Sequence, residues 1–159
     1  MHPLAIILGG IGAFIAADKL TDFIFGKKKI FISYYYDKDK TLKRLLSAWS
    51  KNDRFDIEFD DTSADISLKT NTDDELGREL TNRISKSDMV LVLIGNKTHS
   101  RKWVKYEINE AIRLKKPIVA VKQSRDHISP KELKGVGASW VYGFRAKKVS
   151  NAIKYISKN

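Results

Sequence analysis

Met89-Val90-Leu91-Val92-Leu93-Ile94-Gly95 decides the fold. It is an unbroken apolar run closed by glycine, too short for an ordinary helix and without the polar alternation of a half-exposed strand. Such a run reads as a strand covered on both faces, and so as the centre of a parallel sheet flanked by helices. Ligand crevices in open sheets of this kind lie just beyond the carboxyl ends of the strands. The chain leaves this strand through a polar loop, Asn96 to Arg101, and enters Trp103-Val104-Lys105-Tyr106-Glu107-Ile108. Trp103 and Glu107 are one helical turn apart and share a helix face, so an aromatic surface and a carboxylate arrive together near the crevice. The plainer reading of the same spacing makes Trp103 a core residue and Glu107 a solvated charge paired with Lys102 or Arg101.

Outward from this centre the chain alternates strand and helix patterns. Ile30 to Tyr34 is the first strand. Asp37 to Trp49 is a helix with Leu42, Leu45, Leu46 and Trp49 on one face. Phe55 to Phe59 alternates strictly and reads as the second strand, at an edge. Asp73 to Ser85 is a helix opened by acids that suit the helix dipole. The helix carrying Trp103 and Glu107 ends near Leu114, before Pro117. Ile118 to Val121 is the fourth strand, Gln123 to Gly137 a long polar connection, Ser139 to Tyr142 the fifth strand, and Lys147 to Ile156 a closing helix. The pattern predicts an α/β, flavodoxin-like three-layer sandwich with a five-stranded parallel sheet in the order 2-1-3-4-5.

That order puts the loops after strands one and three on either side of the crevice. The first brings Ser33, Tyr34, Tyr35, Tyr36 and Asp37; the third brings Gly95, Asn96, Thr98, Ser100 and Trp103; the loop after strand two brings Asp60 and Asp61. Any of the three tyrosines can stack on a flat ring, while alternate ones are expected to pack inward. Backbone amides near Gly95 and Asn96 suit a phosphate. No G-x-G-x-x-G or Walker A pattern occurs, so dinucleotide redox chemistry and P-loop hydrolysis are not supported.

Lys29-Ile30-Phe31-Ile32-Ser33-Tyr34, then Asp88 to Gly95, then Trp103-Val-Lys-Tyr-Glu107-Ile resemble the TIR superfamily, and most closely the TIR-like proteins of bacterial Thoeris anti-phage systems. The resemblance runs from about Lys28 to Tyr155. It implies NAD cleavage, by hydrolysis or cyclisation, with Glu107 as the catalytic residue. The substrate site expected around it is drawn from the strand ends and the shared helix face: Ser33, Tyr34, Tyr35, Asp60, Gly95, Asn96 and Trp103. NAD enters as substrate, and no cofactor or metal is expected. A homo-oligomer and a phage-derived activator are the partners it suggests. The segment Asp60 to Thr72, where many TIR domains carry a Pro-Gly loop, contains neither residue, which favours the TIR-like branch. The competing class is a non-catalytic TIR-type scaffold acting by self-assembly and protein partners. A receiver-like domain would want acids where Tyr34-Tyr35-Tyr36 stand.

Composition bounds the remaining possibilities. The chain has 159 residues, enough for one domain and an appendage, and 42% hydrophobic content suits a packed core. Without cysteine it has neither disulfides nor thiolate metal ligands, and His2, His99 and His127 lack zinc-ligand spacing. The formal net charge of +11 favours an anionic ligand or partner. Acids gather between Asp53 and Glu79 and no RNA-recognition or zinc-finger pattern appears, so direct nucleic-acid binding is not expected.

Residues 1–27 form a separate element, and residues 28–159 the TIR-like domain. Pro3 to Ala17 carries no charge, and Lys27-Lys28-Lys29 follows the apolar stretch. A spanning helix needs about 20 apolar residues, which the stretch reaches only by including Asp18, Lys19 and Asp22. The lysines place the following domain on the cytoplasmic side, with the helix as an anchor to the inner face of the plasma membrane. Gly9, Gly12, Ala13 and Ala16 put small residues at helical spacing, which equally suits close self-association.

Overall fold

The computed structural model describes residues 28–35, 45, 48, 49, 51, 57–60 and 72–156. Their order is β1 (Lys28–Tyr34), β2 (Ile57–Asp60), α1 (Asp73–Lys86), β3 (Met89–Ile94), a 3-10 turn (Thr98–Ser100), α2 (Lys102–Arg113), β4 (Ile118–Lys122), a second 3-10 turn (Lys131–Leu133), β5 (Ser139–Tyr142) and α3 (Ala146–Ile156). The strands form one sheet in the order β2-β1-β3-β4-β5. Every neighbouring pair is parallel, with Ser33 opposite Val92, Val92 opposite Ala120, and Phe31 opposite Asp60. The apolar helix expected within residues 1–27 and most of the helix expected from Asp37 to Trp49 lie outside the described residues. Among those described, no helix is long and apolar enough to cross a membrane.

The side-chain alternation of the strands divides the core into two halves. Ile30, Ile32 and Tyr34 of β1 join Met89, Leu91, Leu93, Val119, Val121 and Val141, and meet Val149 and Ile153 of α3 together with Trp49. Phe31, Val90, Val92, Ile94, Ile118 and Ala120 face the other way, toward Leu76, Leu80 and Ile84 of α1 and Val104, Ile108 and Ala111 of α2. Every residue of β3 is buried, which is why its sequence shows no alternation.

The helix ends follow from local chemistry. Thr72, one residue before the expected start of α1, caps it by accepting a hydrogen bond from the Glu75 amide at 3.2 Å, and Asp73, Asp74 and Glu75 sit against the positive end. At the other end Lys116 Nζ donates to the Ser85 and Ser87 carbonyls at 2.9 and 2.7 Å. That lysine comes from the turn that ends α2, where Lys115 takes the left-handed conformation (φ 53°) in a place that glycine more often fills.

Two elements differ from the sequence expectation. β2 is described over Ile57–Asp60, and the expected start at Phe55 lies outside the described residues; Asp60 is the last residue of the strand and pairs with β1 instead of opening a loop. The connection after β4 is not simply polar. Its 3-10 turn inserts Leu133, 2% exposed, into the core beside α1 and α2. Among the described residues no full helix covers that corner, and Trp140 and Tyr142 of the edge strand β5 stay exposed.

Candidate active site

β1 supplies the first component. Phe31 lies in the α1–α2 half of the core, while Ile32 and Tyr34 lie in the other. Alternation therefore turns Ser33 toward α2. The hydroxyl is completely buried and donates to Glu107 Oε2 at 2.5 Å. Glu107 comes from the middle of α2, between Val104, Ile108 and Ala111, and is itself 3% exposed. Its carboxyl is thus the polar member of an otherwise apolar helix face. It is neither solvated nor paired with Lys102 or Arg101, so the plainer reading does not hold for Glu107, while Trp103 does pack against the core.

Burial has an electrostatic consequence. Desolvation disfavours the carboxylate and pushes the Glu107 pKa up to about 8, and the Ser33 hydrogen bond offsets this only in part. At neutral pH most of the population is therefore the neutral acid. A carboxyl held this way ionises readily once positive charge is brought against it.

The remaining components divide between the site and its supports. Tyr35 follows Ser33 by two residues and lies under the Arg101 guanidinium, whose carbon is 3.6 Å from the ring centroid. Tyr34 does not line the crevice, because it is 7% exposed within the opposite half of the core. Trp103 is half-buried. Its ring meets the edge of Tyr106 at 5.4 Å and 71°, and Lys102 Nζ lies 4.9 Å from its centroid. Tyr106 in turn donates to the Gly77 carbonyl at 3.0 Å and meets the Thr81 hydroxyl at 2.8 Å, which locks α2 against α1. An exposed ion pair between Lys102 and Asp73 joins the same helix starts; at such exposure it adds little stability.

At the end of β3 the Gly95 amide donates to Thr98 Oγ1 at 2.8 Å, so the expectation that it is free for phosphate is corrected. The buried Thr98 side chain closes the loop on itself. Asn96 is exposed beside it. Asp60 stands at the carboxyl end of β2, while Tyr36, Asp37 and Asp61 lie outside the described residues. Among the described residues no group of His, Cys, Asp and Glu could hold a metal.

Arg101 is the residue that the sequence reading passed over. It immediately precedes α2, and its Nε is buried with no hydrogen-bond partner among the described residues. The helix start beside it carries no acid and no side-chain cap. The signal available in the sequence was a run of two basic residues at a helix start, where the dipole disfavours them.

The sheet is shared with solved structures of low sequence similarity. The CMP N-glycosidase BcmB of Clostridium botulinum superposes with a TM-score of 0.56 at 14% identity, over 80% of this chain and 98% of its own. A 2-deoxyribosyltransferase from Bacillus psychrosaccharolyticus gives 0.58 at 14% identity, over 77% and 90%. At such identity these likenesses concern the fold. Among curated proteins, none matches the sequence. The family model described as "Thoeris protein ThsB, TIR-like domain" matches residues 31–127. The chain belongs to this family. The ThsB TIR-like match takes in β1, β3, α2 and β4, and therefore Ser33, Tyr35, Arg101, Trp103 and Glu107. It stops before β5 and α3, which complete the sheet and the first half of the core.

Proposed function

We propose that the protein cleaves the bond between nicotinamide and ribose in NAD, with Glu107 as the catalytic carboxylate, and so makes an ADP-ribose-type signal in anti-phage defence. The observation that carries this reading is the buried Glu107 carboxyl bonded to Ser33, on the helix that borders the carboxyl ends of β1 and β3. Membership of the ThsB TIR-like family supports it. The CMP N-glycosidase with the same sheet is support by analogy, since that protein also takes its name from an N-glycosidic bond.

The chemistry suits one carboxylate. Breaking this C–N bond proceeds through an oxocarbenium-like state. The pyridinium departs as neutral nicotinamide, so the leaving group needs no proton. The cation of the bound substrate favours ionised Glu107 and opposes the desolvation that raises its pKa. Binding thus releases the carboxyl proton and produces the negative charge that stabilises the ribosyl cation. Ser33 fixes the orientation of the carboxylate through its hydroxyl. Capture by water gives ADP-ribose and a proton; capture by an adenine nitrogen or a ribose oxygen gives a cyclic isomer. Trp103 supplies a flat surface for the leaving ring. A phage-derived activator and assembly into a homo-oligomer belong to the same proposal.

The test is to incubate the full chain with NAD, with and without lysate from infected cells, and to follow nicotinamide and product mass by chromatography. Nicotinamide release is the expected result. A chain inert in both conditions contradicts the proposal and favours the scaffold.

A further inference from the structure

Arg101 is a buried-edge cation with no assigned task. Its guanidinium carbon lies over the Tyr35 ring, 3.6 Å from the centroid, and its Nε is buried with no hydrogen-bond partner among the described residues. Among the described residues, the ion pairs of this region join other groups, Lys102 with Asp73 and Arg113 with Glu110. Guanidinium keeps its charge at any pH relevant to proteins and presents donors in a planar fork. Stacking on tyrosine holds that fork in one plane but satisfies none of its N–H groups. A buried N–H without an acceptor is costly. The buried Nε is left needing an acceptor, and an anion with several oxygens supplies one while also meeting the rest of the fork.

Its position says which anion. Tyr35 is the first residue after β1, two positions beyond Ser33, so the two stand about 6–7 Å apart along the chain at the carboxyl end of the strand. Ser33 holds Glu107, and Tyr35 holds Arg101. In a nucleotide, one ribose ring and its 5′ carbon separate the glycosidic carbon from the phosphate. With the glycosidic carbon against Glu107, the Arg101–Tyr35 pair is the neighbouring cation at the same strand end for the 5′ phosphate to meet.

We propose that Arg101 binds the 5′-diphosphate of the substrate, so that the site selects a phosphate-bearing nucleotide over the corresponding nucleoside. This rests on the reading of Glu107 as the group facing the glycosidic carbon. Tyr35 acts through Arg101 as its platform. Bidentate, charge-assisted hydrogen bonds between guanidinium and phosphate supply the selectivity.

The test compares the full chain with Arg101→Gln and Arg101→Lys on NAD and on nicotinamide riboside. For Arg101→Gln, KM for NAD is expected to rise about tenfold to a hundredfold while kcat changes little. Kinetics on the riboside should be unchanged. Arg101→Lys keeps charge but loses the fork, so an intermediate KM is expected. It also serves if the glutamine variant fails to fold. An unchanged KM for NAD, or equal losses on both substrates, overturns the proposal. Calorimetry with ADP-ribose and with adenosine separates the two readings. ADP-ribose binding weakened at least tenfold by Arg101→Gln, without adenosine binding changing, supports the Arg101 site even if no NAD is cleaved. ADP-ribose binding that ignores the substitution overturns it, even if Glu107-dependent cleavage is intact.

Discussion

Glu107→Gln should remove a pH dependence of folding as well as activity. In the unfolded chain the carboxyl titrates at its ordinary value, 4.5, while in the fold it is raised to about 8. Between these values the native state keeps a proton that the unfolded state has lost. Stability therefore falls as pH rises through this window and levels off above about pH 8. The slope approaches about 1.4 kcal/mol per pH unit. From pH 5.5 to 8.5 the loss owed to this one group amounts to about 3 kcal/mol, as an upper value, because water entering the site lessens the desolvation. Glutamine keeps the shape, accepts the Ser33 hydrogen bond and does not titrate. Urea unfolding of parent and variant at pH 5.5, 7 and 8.5 reads the difference, since every other titrating group is common to both. The variant should gain on the parent as pH rises. Parallel profiles would refute the reasoning and mean that the carboxyl is hydrated in solution.

Other consequences test separate parts of the structure. If ionised Glu107 stabilises the ribosyl cation, kcat/KM for NAD should climb with pH and level off near or above 8, the free-enzyme value; a rate that falls from pH 6 to 8 contradicts that role. Ser33→Ala removes the hydrogen bond to Glu107 and should cost about 1–3 kcal/mol in urea unfolding, with that pH limb moved upward. Leu91→Ala, at the fully buried centre of β3, should cost about 2–5 kcal/mol by the same measurement. For the amino-terminal element, cell fractionation should find the full chain with membranes or in an oligomer and a chain starting at Lys28 free of both; two soluble monomers would exclude an anchoring or assembling role.

The sheet was legible because its strands are continuous apolar runs between polar loops. Met89 to Ile94 and Ile118 to Val121 announce themselves by composition, and parallel pairing follows from the helices between them. Strand β2 ends one residue later than expected because Asp60 pairs with Phe31 of β1, a long-range contact that alternation of side chains does not record. Leu133 was missed because the scattered apolar residues of the connection after β4, Ile128, Leu133 and Val136, carry no strand or helix period. At the site, the turn-apart spacing of Trp103 and Glu107 was visible; Ser33 and Tyr34 were placed in the substrate site together, although alternation along β1 sends them to opposite sides of the sheet. Invisible were the contacts between distant segments: the Ser33 hydroxyl on Glu107 across 74 positions, and Arg101 over Tyr35. Whether Glu107 is a solvated charge or a buried acid depends on those contacts, and no local pattern records them.

Nicotinamide release from NAD at pH 8 by the full chain, beside a folded Glu107→Gln variant, is the most direct measurement of the central claim. The expected result is release by the parent and a few hundred-fold slower release by the variant, the scale on which losing one electrostatic stabiliser of a transition state is felt. Equal rates in the two would contradict the claim and take the reaction away from Glu107.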